Sequence, residues 1–372
     1  MGHAEPRVNW LLTSTRPEAA RSREAVNNWY TAFPDPDGLF GRRLRSTDDV
    51  SHAQALDELF VHQLLARPGR TVRYEEDGTG PDFRVYEQGE LIASVEVASL
   101  FEKAEWRVED RRHNRLVDEL NRRLDLSLGY FLDFEIDNPA GTGDPAPARV
   151  ERWVRQQLRG LPDPHCAPVR GDGEFGEFTR LYRHESVQVT MRFWPIAPDK
   201  IPPPGSPSRI VGTGRTSGGV VTDAERLRDR LEEKAGGKYD LRSAAFLVIV
   251  AVHAAFCDDD DFVAALYGAN AVRYTIGGRG DVEHVRVNDG VFGPRDARQG
   301  GKSGWKNQRL SAVCHLAAPT LWEPTKTTSV LFHNPFPAKA LPRLFAPTRE
   351  FAVIESTSER RRLDWLDGRG LL

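Results

Sequence analysis

The sequence predicts an α/β fold in which a mixed sheet is flanked by helices. Residues 51–66 carry apolar side chains at helical spacing and are followed by Pro68-Gly69, so an amphipathic helix is expected there. Residues 83–100 hold two β-rich runs around a short polar turn, the pattern of a hairpin. Residues 246–252 form a continuous apolar run with the length of a buried strand, and the capping-box sequence at 222–225 opens a predicted helix before it.

The other predicted elements follow from the same periodicities. Helices are expected at 15–30, 101–124 and 150–158, and strands at 71–74, 128–136, 187–194, 310–316 and 329–333. These elements divide the chain into an N-terminal helical arm (1–48), a core (49–137), a loop-rich insertion or connector (138–220) and a C-terminal α/β extension (221–372). Whether the extension belongs to the same domain as the core stays open.

Composition sets limits on partners and compartment. The 372 residues are 39% hydrophobic and 28% charged, which is enough to bury a sizeable core. The net charge of −3 gives no global attraction to nucleic acid or acidic membranes, so any such binding must come from local patches. Three widely spaced cysteines argue against a disulfide framework. The sequence has neither a signal-peptide pattern nor an apolar run that could span a bilayer. We therefore expect a cytoplasmic protein with no membrane partner.

Two carboxylates are the candidate chemical groups of the hairpin. Asp82 opens the first strand, and Glu96 lies among valines in the second. If a three-residue loop places Glu87 opposite Leu91, Asp82 faces Glu96 on one side of the sheet, whereas a one-residue slip sends them to opposite sides. Two carboxylates that share a site repel unless a cation lies between them, and hard oxygen ligands favour Mg²⁺ or Mn²⁺.

This arrangement resembles the PD-(D/E)xK nuclease superfamily, whose pattern is Pro-Asp on one strand and (Asp/Glu)-x-Lys on the next. Pro81-Asp82 and Glu96-Val97-Ala98 occupy those places, with alanine at the usual lysine position. The resemblance implies a restriction-endonuclease-like α-β-β-β-α-β core over residues 51–137, with a C-terminal α/β elaboration. It also implies an Mg²⁺ or Mn²⁺ site formed by Asp82, Glu96 and an acid on the first helix. Glu58 is the candidate for that acid, and the alternative is an ordinary carboxylate at the helix flank.

The position of the lysine is the main departure from the family pattern. In the superfamily this lysine orients the attacking water and stabilises charge, and Ala98 can do neither. In some members of the superfamily a neighbouring element supplies the lysine instead. This chain contains only eight lysines, so the candidates are few. Lys103 is preferred because it is nearest to Glu96 in sequence, while Lys234 and Lys238 precede a predicted core strand and are the other candidates. Arginine is a poorer substitute because its planar head is always protonated.

A basic, glycine-rich stretch at residues 290–310 is the candidate nucleic-acid contact. Cationic side chains suit phosphates, and a tryptophan suits base stacking. The candidate side chains are Arg295, Arg298, Lys302, Trp305 and Lys306. An exposed loop without this role fits the stretch equally well.

The resemblance implies a metal-dependent nuclease that hydrolyses phosphodiester bonds, with DNA favoured over RNA as the partner and bacterial defence as a setting. The alternative is a catalytically inactive nuclease-like module that binds nucleic acid or a partner protein. Ala98 favours the inactive module, and the presence of both Asp82 and Glu96 favours the enzyme. A homodimer or a partner protein is compatible with either function.

Overall fold

The computed structural model describes residues 4–366 except 77, 79, 140, 163–177, 207–208, 213–221, 238, 274–282, 295–303, 321–326 and 357–360. The helices are α1 (Arg7–Thr13), α2 (Pro17–Thr31), α3 (Leu39–Leu44), α4 (Asp49–Leu65), α5 (Ala104–Arg123), α6 (Pro147–Arg159), α7 (Asp223–Ala235) and α8 (Asp259–Tyr267). The strands are β1 (Arg70–Tyr74), β2 (Phe83–Glu87), β3 (Glu90–Leu100), β4 (Tyr130–Ile136), β5 (Thr179–His184), β6 (Val187–Pro195), β7 (Ala245–Val252), β8 (Asn270–Arg273), β9 (Glu283–Arg286), β10 (Ala312–Ala317), β11 (Ser329–His333), β12 (Arg349–Ser356) and β13 (Arg361–Leu366).

The chain forms two units. The core unit comprises Pro6–Phe101 and Val221–Leu372, and the inserted unit comprises Met1–Glu5 and Glu102–Val220. The N-terminal helices belong to the core unit, because side chains of α2 and α3 share a hydrophobic cluster with α4. The C-terminal extension belongs to the same unit as the hairpin.

A mixed sheet of eight strands forms the centre of the core unit, in the order β1-β2-β3-β7-β10-β11-β12-β13. The strands β3, β7 and β10 are parallel neighbours, and β2 pairs antiparallel with β3. Seven of the eight β7 residues are buried, since this strand lies inside the sheet with helices on both faces. The prediction of a mixed sheet flanked by helices is therefore confirmed.

The alternation of side chains along β3 assigns each face of the sheet to a different helix. Val95 of β3 packs with Leu59 of α4 on one face. Ala98 of β3 packs with Leu227 and Leu231 of α7 on the other face. Glu96 has the same parity as Ala98, so its side chain is directed to the α7 face.

The prediction that residues 101–137 complete the core is wrong. The strand β4 pairs with β6, in a three-stranded antiparallel sheet of the order β4-β6-β5. That sheet lies in the inserted unit and packs with α5 and α6 around a separate hydrophobic cluster. In the core unit, α7 and β7 follow β3 instead, and β7 pairs directly with β3. The alternating pattern identified a half-buried strand correctly but carried no information on which sheet it joins.

The predicted connector at 138–220 contains α6, β5 and β6, so it is part of a folded unit rather than a linker. Cys257 and Cys314 are both free and buried, and Cys166 lies outside the described residues. Among the helices described, none has the length and apolar character needed to cross a membrane.

Candidate active site

The β2–β3 hairpin places Asp82 beside Glu96. Phe83 pairs with Val95, so Asp82, one residue earlier, lies across from Glu96. The backbone amide of Val97 donates a hydrogen bond to Asp82 Oδ2 at 2.7 Å, and the Asp82 amide lies 3.4 Å from Glu96 Oε2. The predicted opposition of the two carboxylates is confirmed, and both are directed to the α7 face of the sheet.

The turn that produces this register differs from the prediction. Glu87 pairs with Glu90 rather than with Leu91, so the loop contains only Gln88-Gly89. Both loop residues have positive φ (52° and 85°), as the common two-residue hairpin turn requires. A one-residue register shift between Val85 and Tyr86 follows. The shorter loop and the shift compensate for each other, which is why the two carboxylates still face one another.

Glu96 is held by a lysine and a tyrosine on a single oxygen. Its Oε1 accepts hydrogen bonds from Lys234 Nζ at 2.5 Å and from the Tyr239 hydroxyl at 2.7 Å. The Glu96 side chain is only 4% exposed. Lys234 lies three residues after Leu231, whose side chain packs on this face of the sheet, and the helical repeat therefore directs the lysine to the same face. Burial, followed by the hydrogen bond to Glu96, raises the pKa of the Tyr239 hydroxyl, which keeps it a donor.

The surroundings of Asp82 disfavour the charged form of its carboxyl. Burial raises the pKa of its carboxyl well above the ordinary value, and the nearby charges of Glu96 and Glu58 raise it further. The hydrogen bond from the Val97 amide and the charge of Lys234 oppose this rise. The Val97 amide donates to Oδ2, and Asp82 Oδ1 accepts no hydrogen bond from the described residues.

Glu58 lies on α4 and is bound by a different cation. Arg43 donates to both of its oxygens, with Nη2 to Oε1 at 2.5 Å and Nη1 to Oε2 at 3.1 Å. The Tyr74 hydroxyl donates to Oε2 at 2.8 Å. Burial raises the pKa of the Glu58 carboxyl, and the contacts with Arg43 and Tyr74 oppose that rise. Both oxygens of Glu58 are thus occupied by protein donors.

The lysine candidates that the structure describes have different contacts. Lys234 contacts Glu96, whereas Lys103 directly precedes α5 in the inserted unit, with its ammonium 5.1 Å from the centre of the Trp106 ring. The preference for Lys103 over Lys234 therefore has no support in the geometry. Lys238 lies outside the described residues. Ala98 is buried on the same face as Glu96, where it packs against the apolar side chains of α7.

The donor set suits a hard divalent cation held by two carboxylates. Mg²⁺ and Mn²⁺ bind oxygen ligands, and Mg²⁺ commonly combines one or two carboxylates with several waters. Asp82 lies across the hairpin from Glu96, and burial together with the charges of Glu96 and Glu58 raises the pKa of Asp82, a rise that a bound cation would oppose. Within the described ranges, however, no three His, Cys, Asp or Glu side chains are grouped as a metal site. The expectation that Glu58 completes the ligand set is not met, because Arg43 occupies that carboxylate.

The predicted nucleic-acid contacts are only partly described. Arg295, Arg298 and Lys302 lie outside the described residues. Trp305 is stacked on Phe336, with ring centroids 4.0 Å apart, so one face of its indole is already covered. The backbone amide of Lys306 donates to the Gly293 carbonyl.

Comparison of the chain with protein-family models, with curated proteins and with solved structures gives no match.

Sequence reasoning missed three side chains that shape this site. Arg43 and Tyr74 close Glu58, and Tyr239 donates to Glu96. Arg43 belongs to a helix of six residues in the predicted N-terminal arm, for which no candidate site residue was named. Tyr239 follows α7 and was visible only as a neighbour of two candidate lysines, so the pairing with Glu96 required the parallel β3–β7 arrangement.

Proposed function

We propose that this chain is a metal-dependent nuclease of the PD-(D/E)xK type in which the lysine is supplied by α7. The observation that carries the proposal is the contact of Lys234 with Glu96, directly across the hairpin from Asp82. Two carboxylates and a lysine are the groups that the family motif supplies, and here they come from β2, β3 and α7.

The order of elements around the site supports a restriction-endonuclease-like core. Within the core unit, α4, β1, β2, β3, α7 and β7 follow one another as α-β-β-β-α-β. The inserted unit interrupts this order between β3 and α7. An insertion of this size explains why the lysine is distant from Glu96 in sequence and adjacent to it in the fold.

Each side chain has a role that its position allows. Asp82 and Glu96 would hold Mg²⁺ or Mn²⁺, which when bound supplies an activated water and neutralises charge on the phosphate. Lys234 directs one N–H to Glu96 and a second to Tyr239, at 3.4 Å, which leaves its third N–H for a phosphate oxygen or for the attacking water. Tyr239 donates to the oxygen of Glu96 that Lys234 also contacts, so the second carboxylate oxygen stays directed to the Asp82 side.

The proposal is tested by cleavage of labelled single- and double-stranded DNA and RNA in Mn²⁺, with EDTA as one control and Glu96→Gln as the other. We expect metal-dependent cleavage that the substitution abolishes, with DNA preferred over RNA. Cleavage that persists in Glu96→Gln would place the activity elsewhere, or in a contaminant, and would refute the proposal.

An inactive nucleic-acid-binding or protein-binding module is the second candidate. The observation in its favour is that the Glu96 oxygen bound by Lys234 and Tyr239 is satisfied without any cation. A module of this kind has no need of a metal, so the melting temperature would not change on addition of Mn²⁺. A nuclease would instead be stabilised by Mn²⁺ and lose that stabilisation in Asp82→Asn.

A further inference from the structure

The inserted unit contains a cavity of about 560 Å³ with arginines along one wall. Its lining includes Arg111, Arg112 and Arg115 of α5, and the loop 141–144 forms the opposite side. We refer to it as the arginine cavity. Residues separated by three or four positions share one face of a helix, so α5 presents these guanidinium groups together.

Arg112 builds the cavity rather than facing an incoming ligand. Its side chain is buried, with Nη1 donating to the Asn138 carbonyl at 2.6 Å and Nη2 donating to the Gly143 carbonyl. Its Nε lies 2.9 Å from Asp144 Oδ1. Gly143 has a φ of 134°, and a Cβ there would lie 2.8 Å from Ser186 Oγ, so the loop can hold this path only with glycine. These contacts fix the loop against α5.

Arg111 and Arg115 differ from Arg112 because their side chains are exposed. Neither forms an ion pair or a hydrogen bond with any described residue. They lie four residues apart, about 6 Å along the helix axis. Asp144 is the acid in the lining, and Arg112 already contacts it. Three arginines against one aspartate leave the cavity with a local positive charge, although the chain as a whole carries −3.

We propose that the arginine cavity binds phosphate groups of a nucleic-acid backbone, and that Arg111 and Arg115 make the contacts. The choice of a polynucleotide rests on the nuclease function proposed above, while the preference for an anion rests on the cavity itself. Planar guanidinium groups suit phosphate oxygens, and contacts of this kind contribute affinity without base specificity. The inserted unit is then a nucleic-acid-binding part of the chain that the family motif does not include.

The test compares two double variants of the full chain, both in a Glu96→Gln background and in EDTA, so that no cleavage can occur. Arg111→Ala/Arg115→Ala removes the two exposed cations. Arg122→Ala/Arg123→Ala removes the same charge from the same helix, but there both arginines are paired with Glu119. Binding of labelled single- and double-stranded DNA is measured by fluorescence anisotropy over a range of salt concentrations.

We expect Arg111→Ala/Arg115→Ala to weaken DNA binding at least tenfold and to reduce the slope of log K against log salt by roughly 1.4 to 1.8, the value for two lost phosphate contacts. The Arg122→Ala/Arg123→Ala control should change affinity by less than threefold. Asp144→Asn, which removes the acid of the lining, should strengthen binding. An equal loss in both double variants would show a general charge effect and would overturn the inference.

Further titrations with inorganic phosphate and a mononucleotide distinguish a polynucleotide from a small anion. If either small anion binds through Arg111 and Arg115 while DNA binding does not depend on them, the cavity is a small-anion site and the inference is overturned. DNA binding that depends on these arginines supports the inference even if the protein cleaves nothing. If the protein cleaves DNA in a metal-dependent way but its DNA binding does not depend on Arg111 and Arg115, the proposed role of the arginine cavity is refuted. The proposed nuclease function is not affected by that result.

Discussion

Glu58 and Glu96 are two buried glutamates with similar partners and different geometries. Each contacts one cationic side chain and one tyrosine hydroxyl, Arg43 with Tyr74 in the first case and Lys234 with Tyr239 in the second. The guanidinium of Arg43 spans both oxygens of Glu58, whereas the two side-chain donors to Glu96 both contact Oε1 and its Oε2 accepts a 3.4 Å hydrogen bond from the backbone amide of Asp82. The second oxygen of Glu96 is therefore directed to the Asp82 side of the hairpin.

Among the described residues, side chains therefore donate to both oxygens of Glu58 but to one oxygen of Glu96. A bidentate arginine closes a carboxylate because its donors match both oxygens, and a lysine leaves one oxygen open because its ammonium is a point charge. Identical residue types at 58 and 96 are thus expected to have different roles.

The largest expected effect is on catalysis by Glu96→Gln compared with Glu58→Gln. Glu96→Gln should lower kcat/KM by about 10³-fold, because it removes charge from the proposed metal site. Glu58→Gln should lower kcat/KM by less than about tenfold. It should also cost about 1–2 kcal/mol of unfolding free energy. This cost is at the low end for a broken ion pair, because Arg43 is 39% exposed and can be solvated. Steady-state cleavage and chemical denaturation measure the two quantities. Equal losses of activity in both variants would show that Glu58 also binds the metal.

The next effect concerns the lysine. Lys234→Ala should lower kcat by about 10²–10³-fold, since it removes a positive charge next to the proposed reaction site. Lys103→Ala is the matched control and should retain the wild-type kcat, because Lys103 lies over Trp106 in the inserted unit. Lys234→Arg should not restore activity, since a planar, bidentate head would close Glu96 as Arg43 closes Glu58. The reverse result, with Lys103→Ala the damaging variant, would contradict the assignment of Lys234.

The helix α4, the hairpin and the strand β7 could be predicted from sequence, because each is governed by a local periodicity or turn pattern. The facing of Asp82 and Glu96 could be predicted as well, since the register of a hairpin with a buried apolar face is limited to few choices. The loop length was wrong, because a bulge leaves no clear mark in a single sequence.

The contact of Lys234 with Glu96 could be proposed from sequence but not preferred over Lys103. Its selection depends on which strand follows β3 in the sheet, and that is a long-range property. The segment 101–137 had the right local patterns for a helix and a strand and yet belongs to another unit. Lys103 was favoured because it is nearest to Glu96 in sequence, but the inserted unit begins at Glu102, so this proximity does not indicate a place in the core unit.

A smaller effect is expected on stability from Asp82→Asn. Without metal, this variant should be more stable than the wild type at neutral pH, because the pKa of Asp82 is raised by burial and by Glu96. The folded wild type binds an additional proton as pH falls through that raised pKa, while the unfolded carboxyl titrates near 3.9. The stability advantage of the variant should accordingly shrink on acidification from neutral pH.

Binding of metal should raise the stability of the wild type, as protonation of Asp82 does. Mn²⁺ at about 100 times its Kd should stabilise the wild type by about 2.7 kcal/mol and leave Asp82→Asn nearly unchanged. Thermal unfolding over a pH series, with EDTA or Mn²⁺, measures both comparisons, and Glu58→Gln serves as a variant that keeps the two proposed ligands. A metal-free Asp82→Asn that is less stable than the wild type at neutral pH would show that the Val97 hydrogen bond outweighs the repulsion.

The smallest effect should distinguish the two tyrosines. Tyr239→Phe removes one of two donors from the same oxygen of Glu96, so the carboxylate loses orientation but keeps Lys234, and kcat should fall by roughly 2- to 10-fold, the value of one hydrogen bond. Tyr74→Phe removes one donor from Glu58, but Arg43 still contacts both oxygens, so kcat should change by less than about twofold. Both variants should lose about 1 kcal/mol of unfolding free energy, since each removes a hydrogen bond to a buried carboxylate. Because the stability costs are matched, a difference in kcat between the variants reports on the orientation of Glu96. Equal kcat values would mean that the reaction rate does not depend on whether side chains donate to both oxygens, as in Glu58, or to one oxygen, as in Glu96.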